Sequence, residues 1–159
     1  MKGRLVFRNR QQLYSLDLHL LRRIAQTLLC ELAAKTQFEL CVHLVTTPEM
    51  TRLNREFLGH EGSTDVITFN HSKPSQREFL YAEIFICLDD ARAQASRFHT
   101  TRQSELVRYL LHGVLHLLGY EDSKAAARRK MKRKEDSLLR ELARRFPLRK
   151  LKRARRVLP

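Results

Sequence analysis

The chain has 159 residues, of which 43% are hydrophobic and 30% are charged, and its formal net charge is +14 at pH 7. This length and apolar fraction suit a single domain with a real core and exclude a largely disordered chain. The excess charge lies late in the sequence, since residues 123–159 carry 16 Lys+Arg and 3 Asp+Glu whereas residues 1–122 carry 15 and 14. So dense a basic segment is typical of proteins that bind polyanions, usually nucleic acid, although a solvated helix face or a membrane surface are alternatives.

Hydrophobic periodicity and capping residues predict alternating strands and helices. In chain order they are a strand at 4–8, a helix at 16–34, a strand at 38–45, a helix with Thr47 as N-cap before Pro48, strands at 66–69 and 80–88, a helix from Asp89-Asp90 to about 98, a helix opening at 100–104 and a basic helix at 124–145. This order predicts an α+β fold with a small mixed sheet and several helices. We expect one domain at residues 1–146 and a flexible basic tail at 147–159.

Cysteine usage and hydropathy indicate the compartment. Cys30, Cys41 and Cys87 lie in apolar stretches without a close pair, which predicts reduced thiols. The longest uninterrupted apolar run, 84–88, is far too short to span a membrane, and residues 1–12 are basic without the apolar region of a secretory signal. We therefore expect a cytoplasmic protein that has no membrane partner.

Two histidines four residues apart are the most informative motif. His112 and His116 would project from one face of a helix that is apolar almost all round and hence buried, so each imidazole needs a partner. Gly119 can end that helix in a left-handed conformation, which would let the Asp122 carboxylate return to the imidazoles. Two imidazoles and a carboxylate predict one zinc ion per chain with an open fourth position, at the end of a central buried helix. A chance match of surface or core histidines is the alternative.

The same spacing occurs in zinc peptidases, but those enzymes carry a glutamate after the first histidine, where this chain has Gly113. A zinc metallopeptidase therefore lacks its usual general base here and remains only as an alternative function.

The run from His112 to Tyr120, His-Gly-Val-Leu-His-Leu-Leu-Gly-Tyr, resembles the signature of the YbeY family, bacterial metal-dependent endoribonucleases of ribosomal RNA maturation. Further similarities follow in the family's order: Leu53-Asn54, the strand of residues 64–69, the strand of residues 82–86, and Met131 with Glu135 after the histidine helix. The resemblance covers about residues 38–142. It implies a zinc-dependent endoribonuclease that processes single-stranded ribosomal RNA in ribosome biogenesis, with the small ribosomal subunit as a further candidate partner and no small-molecule substrate.

Three positions depart from the family pattern. Asp122 stands where the family usually has a third histidine, Leu58 occupies the place of an arginine associated with RNA cleavage, and Glu83 replaces an aspartate. Arg55 and Arg52 in the preceding turn are candidate substitutes for that arginine. These departures keep open a second alternative, a non-catalytic ribosome-associated RNA-binding protein with a structural metal.

The candidate site residues divide by role. The candidate catalytic residues are Asp65, Glu83 and Arg55, with Glu121 as a further possible base, and a 2′-hydroxyl of the RNA is an alternative nucleophile. The candidate metal ligands are His112, His116 and Asp122. The candidate RNA-binding residues are Asn54 and Thr64 from the resemblance, and Lys130, Arg133, Lys134, Arg149, Lys150, Lys152 and Arg153 from the basic segment.

Overall fold

The computed structural model of the protein describes residues 3–33, 37–89 and 91–153. Within those ranges the elements are β1 (Gly3–Asn9), α1 (Leu18–Leu32), β2 (Gln37–Val45), α2 (Thr47–Leu58), β3 (Val66–Asn70), β4 (Phe79–Cys87), α3 (Ala91–Arg97), α4 (Arg102–Leu117), α5 (Ala125–Arg145) and a 3-10 helix (Leu148–Leu151). The predicted element order is confirmed. Among the described helices, none combines the length and the apolar content needed to cross a bilayer.

The strands form one mixed sheet in the order β1-β2-β4-β3. β1 pairs with β2 and β2 with β4 in parallel, whereas β3 runs antiparallel to β4 at the edge, with Ile67 opposite Phe85. Parallel neighbours need a crossover connection, and α1 supplies it between β1 and β2. The predicted α+β fold with a small mixed sheet is confirmed.

Different helices cover the two faces of the sheet. Because neighbouring residues of a strand point to opposite faces, Ile84 and Phe85 of β4 belong to different hydrophobic clusters. α1 and α4 pack on the face that contains Ile84. α2 packs on the other face, where Met50 and Leu53 join Phe85 in a smaller cluster.

Gly113 lets α4 lie directly on the sheet. A Cβ atom at this position would lie 3.0 Å from Cγ2 and 3.1 Å from Cδ1 of Ile84, which is fully buried. The close contact fixes the rotation of α4 about its axis, and this rotation decides which of its residues face away from the sheet.

The start of α2 differs from the prediction. Thr46 is the N-cap, and Thr47 is the first helical residue, followed by Pro48. The Thr47 backbone N–H donates to Oδ2 of Asp89 at 3.1 Å, and its hydroxyl contacts the same oxygen. Asp89 therefore joins α2 to the end of β4, although the sequence placed it as a helix cap. Asp90, the other predicted cap residue, lies outside the described residues.

The packed chain continues past the boundary expected at residue 146. Leu148 and Leu151 are buried in the main cluster, and the Leu151 carbonyl accepts a hydrogen bond of 2.8 Å from the Asp17 backbone N–H. Two leucines three residues apart align on one side of a 3-10 helix, which explains how a short basic segment is anchored. Residues 154–159, the remainder of the expected tail, lie outside the described residues.

Candidate metal centre

α4 presents a single narrow stripe of polar side chains. From Glu105 to His116 every residue is buried except Arg108, His112 and His116, which are half-buried. Each of these three follows the previous one by four residues, so they lie one above another on the same face of the helix. This face points away from the sheet.

The end of α4 brings a carboxylate to that stripe. Gly119 has a φ of +99°, a conformation that a side chain would strain, and the Tyr120 backbone N–H donates to the Leu115 carbonyl at 3.0 Å. The chain thereby reverses just after the helix. Asp122 returns to the two imidazoles, as the sequence predicts.

His112, His116 and Asp122 form a group that can hold a metal ion. Nε2 of His116 lies 3.0 Å from Nε2 of His112 and 3.2 Å from Oδ2 of Asp122, and the third separation, from His112 Nε2 to Asp122 Oδ2, is 3.6 Å. Three donor atoms from two consecutive structural segments thus converge on one point.

The hydrogen bonds behind the two imidazoles orient them toward that point. His112 Nδ1 lies 2.7 Å from Oε1 of Glu135, and His116 Nδ1 lies 3.0 Å from the Tyr120 carbonyl oxygen. A carboxylate and a carbonyl only accept, so each Nδ1 carries the proton and each Nε2 presents a lone pair. Two lone pairs and the Asp122 carboxylate then face one another, an arrangement that repels unless a cation or an added proton lies between them.

The charges around His112 favour positive charge at this point. Burial by itself lowers the pKa of His112, but the hydrogen bond and charge of Glu135, together with the charges of Asp122 and Asp65, raise that pKa above its ordinary value. The three carboxylates of Glu135, Asp122 and Asp65 therefore make this point favourable for a cation, although the chain as a whole is strongly positive.

Two cavities meet at the candidate ligands. The first, of about 530 Å³, lies toward α5 and is lined in part by Arg128, Lys132 and Phe98. The second, of about 660 Å³, lies toward β3 and is lined in part by Leu58 and His116. The residues that line both are Asp65, Arg108, Tyr109, His112, Asp122 and Glu135.

The candidate catalytic residues separate in the structure. Asp65, just before β3, lines both cavities beside His112, and Thr64 lines the second. Glu83 does not join them, because it lies on the face of β4 opposite Ile84 and α4. Arg55 is exposed on α2 and lines neither cavity.

Glu83 has its own partners on the far face of the sheet. Its carboxylate oxygens lie 2.8 Å from Nε2 of His43 and 2.9 Å from Nε2 of His71. Burial tends to raise the pKa of Glu83, but the hydrogen bonds from His71 and His43 outweigh it and lower that pKa. We therefore interpret Glu83 as a structural carboxylate that links two strands to the His71 loop, and the structure does not bring it together with the candidate metal ligands.

Asn54 is also structural. It is buried, and its Nδ2 donates to the Gly62 carbonyl at 3.0 Å, so it fixes the loop between α2 and β3. Asn54 lines neither of the two cavities. Its contribution to the cleft is indirect, since the same loop leads to Thr64 and Asp65.

The basic residues of α5 divide between several faces. Arg128 and Lys132, which sequence analysis did not single out, line the first cavity, whereas Lys130, Arg133 and Lys134 line neither. With 3.6 residues per turn, positions 128 and 132 share a face that positions 130 and 134 do not. Lys130 instead lies over the Tyr120 ring, with its Nζ 5.8 Å from the ring centre.

The basic residues after α5 are exposed. Arg149, Lys150, Lys152 and Arg153 all reach solvent, and Arg153 lies 3.6 Å from the Asp17 carboxylate. Their backbone is held by the buried Leu148 and Leu151. They thus remain candidate RNA contacts on a fixed segment.

Comparison with known proteins identifies relatives of this chain. A family model described as "Endoribonuclease YbeY" matches residues 6–143. A protein named endoribonuclease YbeY from Chlorobium phaeovibrioides is 44% identical over 91 residues, which are 57% of this chain and 60% of that protein. One of the same name from Anaeromyxobacter is 38% identical over 121 residues, which are 75% of this chain and 63% of that protein. The chain thus spans less than two thirds of the length of these relatives.

A solved structure has the same fold. The solution structure of TM1509 from Thermotoga maritima superposes with a TM-score of 0.63 at 23% identity and covers 99% of both chains. At this identity the likeness concerns the fold alone.

Proposed function

The chain belongs to the endoribonuclease YbeY family, and from this membership we propose that it is a zinc-dependent endoribonuclease. Its proposed substrate is single-stranded ribosomal RNA, cut during ribosome biogenesis on or near the small ribosomal subunit. The observation that carries the proposal is the convergence of His112, His116 and Asp122 in a cleft that also contains cations for a phosphate backbone.

The spacing of the donor atoms supports zinc. Zinc bonds of about 2.05 Å in a tetrahedron place ligand atoms about 3.3 Å apart. The three observed separations, 3.0, 3.2 and 3.6 Å, bracket that value. Three protein ligands leave a fourth position for water or substrate, as catalytic zinc sites require. The Asp122 oxygen makes this donor set less positive than three imidazoles would, yet it is still an ordinary zinc ligand.

The residues of the cleft have complementary tasks. Zinc, when bound, supplies a Lewis acid for a phosphate oxygen and lowers the pKa of a nearby water. Glu135 keeps the proton on Nδ1 of His112 and so keeps Nε2 available as a ligand. The Asp65 carboxylate lines both cavities and is placed to accept a proton from an attacking water or from a 2′-hydroxyl of the RNA.

The charge distribution supports a nucleic acid rather than a peptide as substrate. Arg128 and Lys132 line the cavity beside His112, and a further group of exposed cations follows α5. Gly113, in the position of a peptidase base, faces Ile84 of the sheet and not the cleft. A glutamate there would collide with the core, so the metallopeptidase alternative receives no support.

Cleavage of a single-stranded RNA by the purified protein tests the proposal. The wild type should cut, a chelator should stop it, and added zinc should restore it. His112→Ala should cut slower by on the order of a hundredfold or more, yet bind RNA within a few-fold, because chemistry needs the metal and long-range attraction does not. His19→Ala, which removes an exposed imidazole on α1, is the matched control.

Two outcomes contradict the proposal. Equal cleavage by the wild type and His112→Ala would show that the nuclease activity does not use this site. Binding without cleavage by either protein would favour the non-catalytic RNA-binding protein with a structural metal.

A further inference from the structure

The polar stripe of α4 begins with a cation. Arg108 precedes His112 by four residues, as His112 precedes His116, so neighbouring Cβ atoms along the stripe are about 5–6 Å apart. The Arg108 side chain is 26% exposed in a stretch of helix that is otherwise buried apart from the two imidazoles. The helix therefore places a guanidinium and two metal-binding groups in one line.

Arg108 reaches both sides of the candidate metal centre. Among the described residues that line both cavities, it is the one arginine or lysine. Arg128 and Lys132 line only the first cavity, so Arg108 is the sole lysine or arginine among the described residues lining the second, which contains His116. Leu58 lies in that second cavity, 46% exposed, and supplies no charge.

We propose that Arg108 binds the phosphate group of the RNA that lies against the metal ligands. This assignment rests on the proposed function of the same site. A guanidinium presents five N–H donors in a planar fork that matches two phosphate oxygens, and it stays charged at every physiological pH. Arg108 thereby supplies a cation to the second cavity, where Leu58 at the end of α2 carries no charge.

Asp136 holds Arg108 ready for this contact. Nη1 of Arg108 lies 2.8 Å from Oδ1 of Asp136 on α5, and the Asp136 side chain is 35% exposed. This bond uses one edge of the guanidinium and leaves the remaining N–H groups for a ligand. Both side chains line the first cavity, so a phosphate entering there meets the guanidinium while it is already oriented.

The first test uses metal-free protein, so that it is independent of cleavage. The affinity for a single-stranded RNA oligonucleotide is measured against salt for Arg108→Gln and for Arg4→Gln. Arg4 is an exposed arginine on β1, so its replacement by glutamine removes the same charge as Arg108→Gln does. Arg108→Gln should weaken binding by about tenfold and reduce the salt slope by about 0.7, because one phosphate contact is lost. Arg4→Gln should leave the slope as it is. Equal effects of the two variants would overturn the proposal.

A second pair of variants separates a phosphate contact from a structural ion pair. Asp136→Asn keeps an oxygen that can accept the hydrogen bond from Arg108 and removes a negative charge that repels phosphate, so it should strengthen RNA binding, the direction opposite to Arg108→Gln. Arg108→Lys should recover part of the affinity, because it keeps the charge and loses the fork. If Asp136→Asn weakens binding as much as Arg108→Gln does, Arg108 serves the fold and not the RNA.

Zinc-loaded protein supplies the kinetic test. Arg108→Gln should lower the single-turnover rate by about a hundredfold, as the loss of one donor to a transition-state oxygen does, and Arg108→Lys should restore part of it. An unchanged rate would overturn a contact at the reacting phosphate. A wild type that binds RNA without cutting it would refute the proposed function instead, and the affinity comparison would still decide whether Arg108 holds a phosphate.

Discussion

Glu135 accepts a hydrogen bond of 2.7 Å from Nδ1 of His112, although it lies on a helix in which positive charges far outnumber negative ones. It is also nearly buried, and it stands in the apolar stripe that Met131, Leu138 and Leu142 form along α5. A carboxylate in such a position is costly unless it is paired. The packing of α5 on α4 thus serves to orient one imidazole.

The Glu135–His112 pair predicts that the metal affinity depends on α5. Glu135→Gln removes the charge behind the imidazole and should weaken zinc binding by about 10–100-fold, as loss of such outer partners does. Competition against a chelator of known affinity measures it. Glu141→Gln, at a position later on the same helix that lines neither cavity, is the control. Equal zinc affinities for the two variants would show that Glu135 does not act on the metal.

The faces of α5 predict which cations contact RNA. Replacing Arg128 and Lys132 together with glutamine should reduce the salt slope of RNA affinity by up to about 0.7 for each lost phosphate contact. Replacing Lys130 and Lys134, which line neither cavity, removes the same charge but should reduce the salt slope less. Fluorescence anisotropy against salt gives both slopes. A larger effect from Lys130 and Lys134 would place the RNA on another face of the helix.

The contact of Gly113 with Ile84 predicts that this glycine is needed for packing. Gly113→Val adds a branched side chain where even a Cβ lies 3.0 Å from Ile84, and it should lower the free energy of unfolding by about 1–3 kcal/mol. Denaturant unfolding at a fixed zinc concentration measures the change. Glycine is a poorer helix former than valine, so helix propensity by itself would favour Gly113→Val, and a loss of stability reports the steric contact. An unchanged or higher free energy of unfolding would show that α4 does not need its close approach to β4.

Glu83 predicts a pH-dependent contribution to stability without a role in cleavage. Its folded pKa lies below its ordinary value of 4.5, so its stabilisation is present above pH 4.5 and is lost as the pH falls through the folded pKa. Glu83→Gln should therefore be less stable than the wild type at neutral pH, and the difference should shrink below pH 4.5. Thermal unfolding across pH measures this. A difference that stays constant with pH would contradict the hydrogen bonds of Glu83 with His43 and His71.

The convergence of the three candidate metal ligands could be predicted from the sequence because their spacing is local. His112 and His116 are one turn apart on a helix, and Gly119 marks its end, so the return of Asp122 follows from short-range geometry. The order of strands and helices could be predicted for the same reason, since periodicity and caps act within a few residues.

The rest of the cleft depends on how distant elements pack. The far-face location of Glu83 follows from the register of β4 against β2, which short segments do not encode. The sequence predicts Leu148 and Leu151 as part of a basic tail because the start of α1, where Asp17 bonds to Leu151, is far away along the chain. The position of Arg108, four residues before His112, does indicate that the two side chains share a helix face. That this face lines the cleft follows only from the burial of the surrounding residues of α4.

The most direct test of the central claim is a zinc titration of metal-free protein followed by cleavage of a single-stranded RNA. We predict that activity rises with zinc and saturates at one equivalent per chain, and that His116→Ala shows neither stoichiometric zinc by elemental analysis nor cleavage, because two remaining ligands hold zinc poorly. Full activity of the metal-free wild type, or equal zinc content and cleavage in His116→Ala, would contradict the claim that His112, His116 and Asp122 form the catalytic metal site.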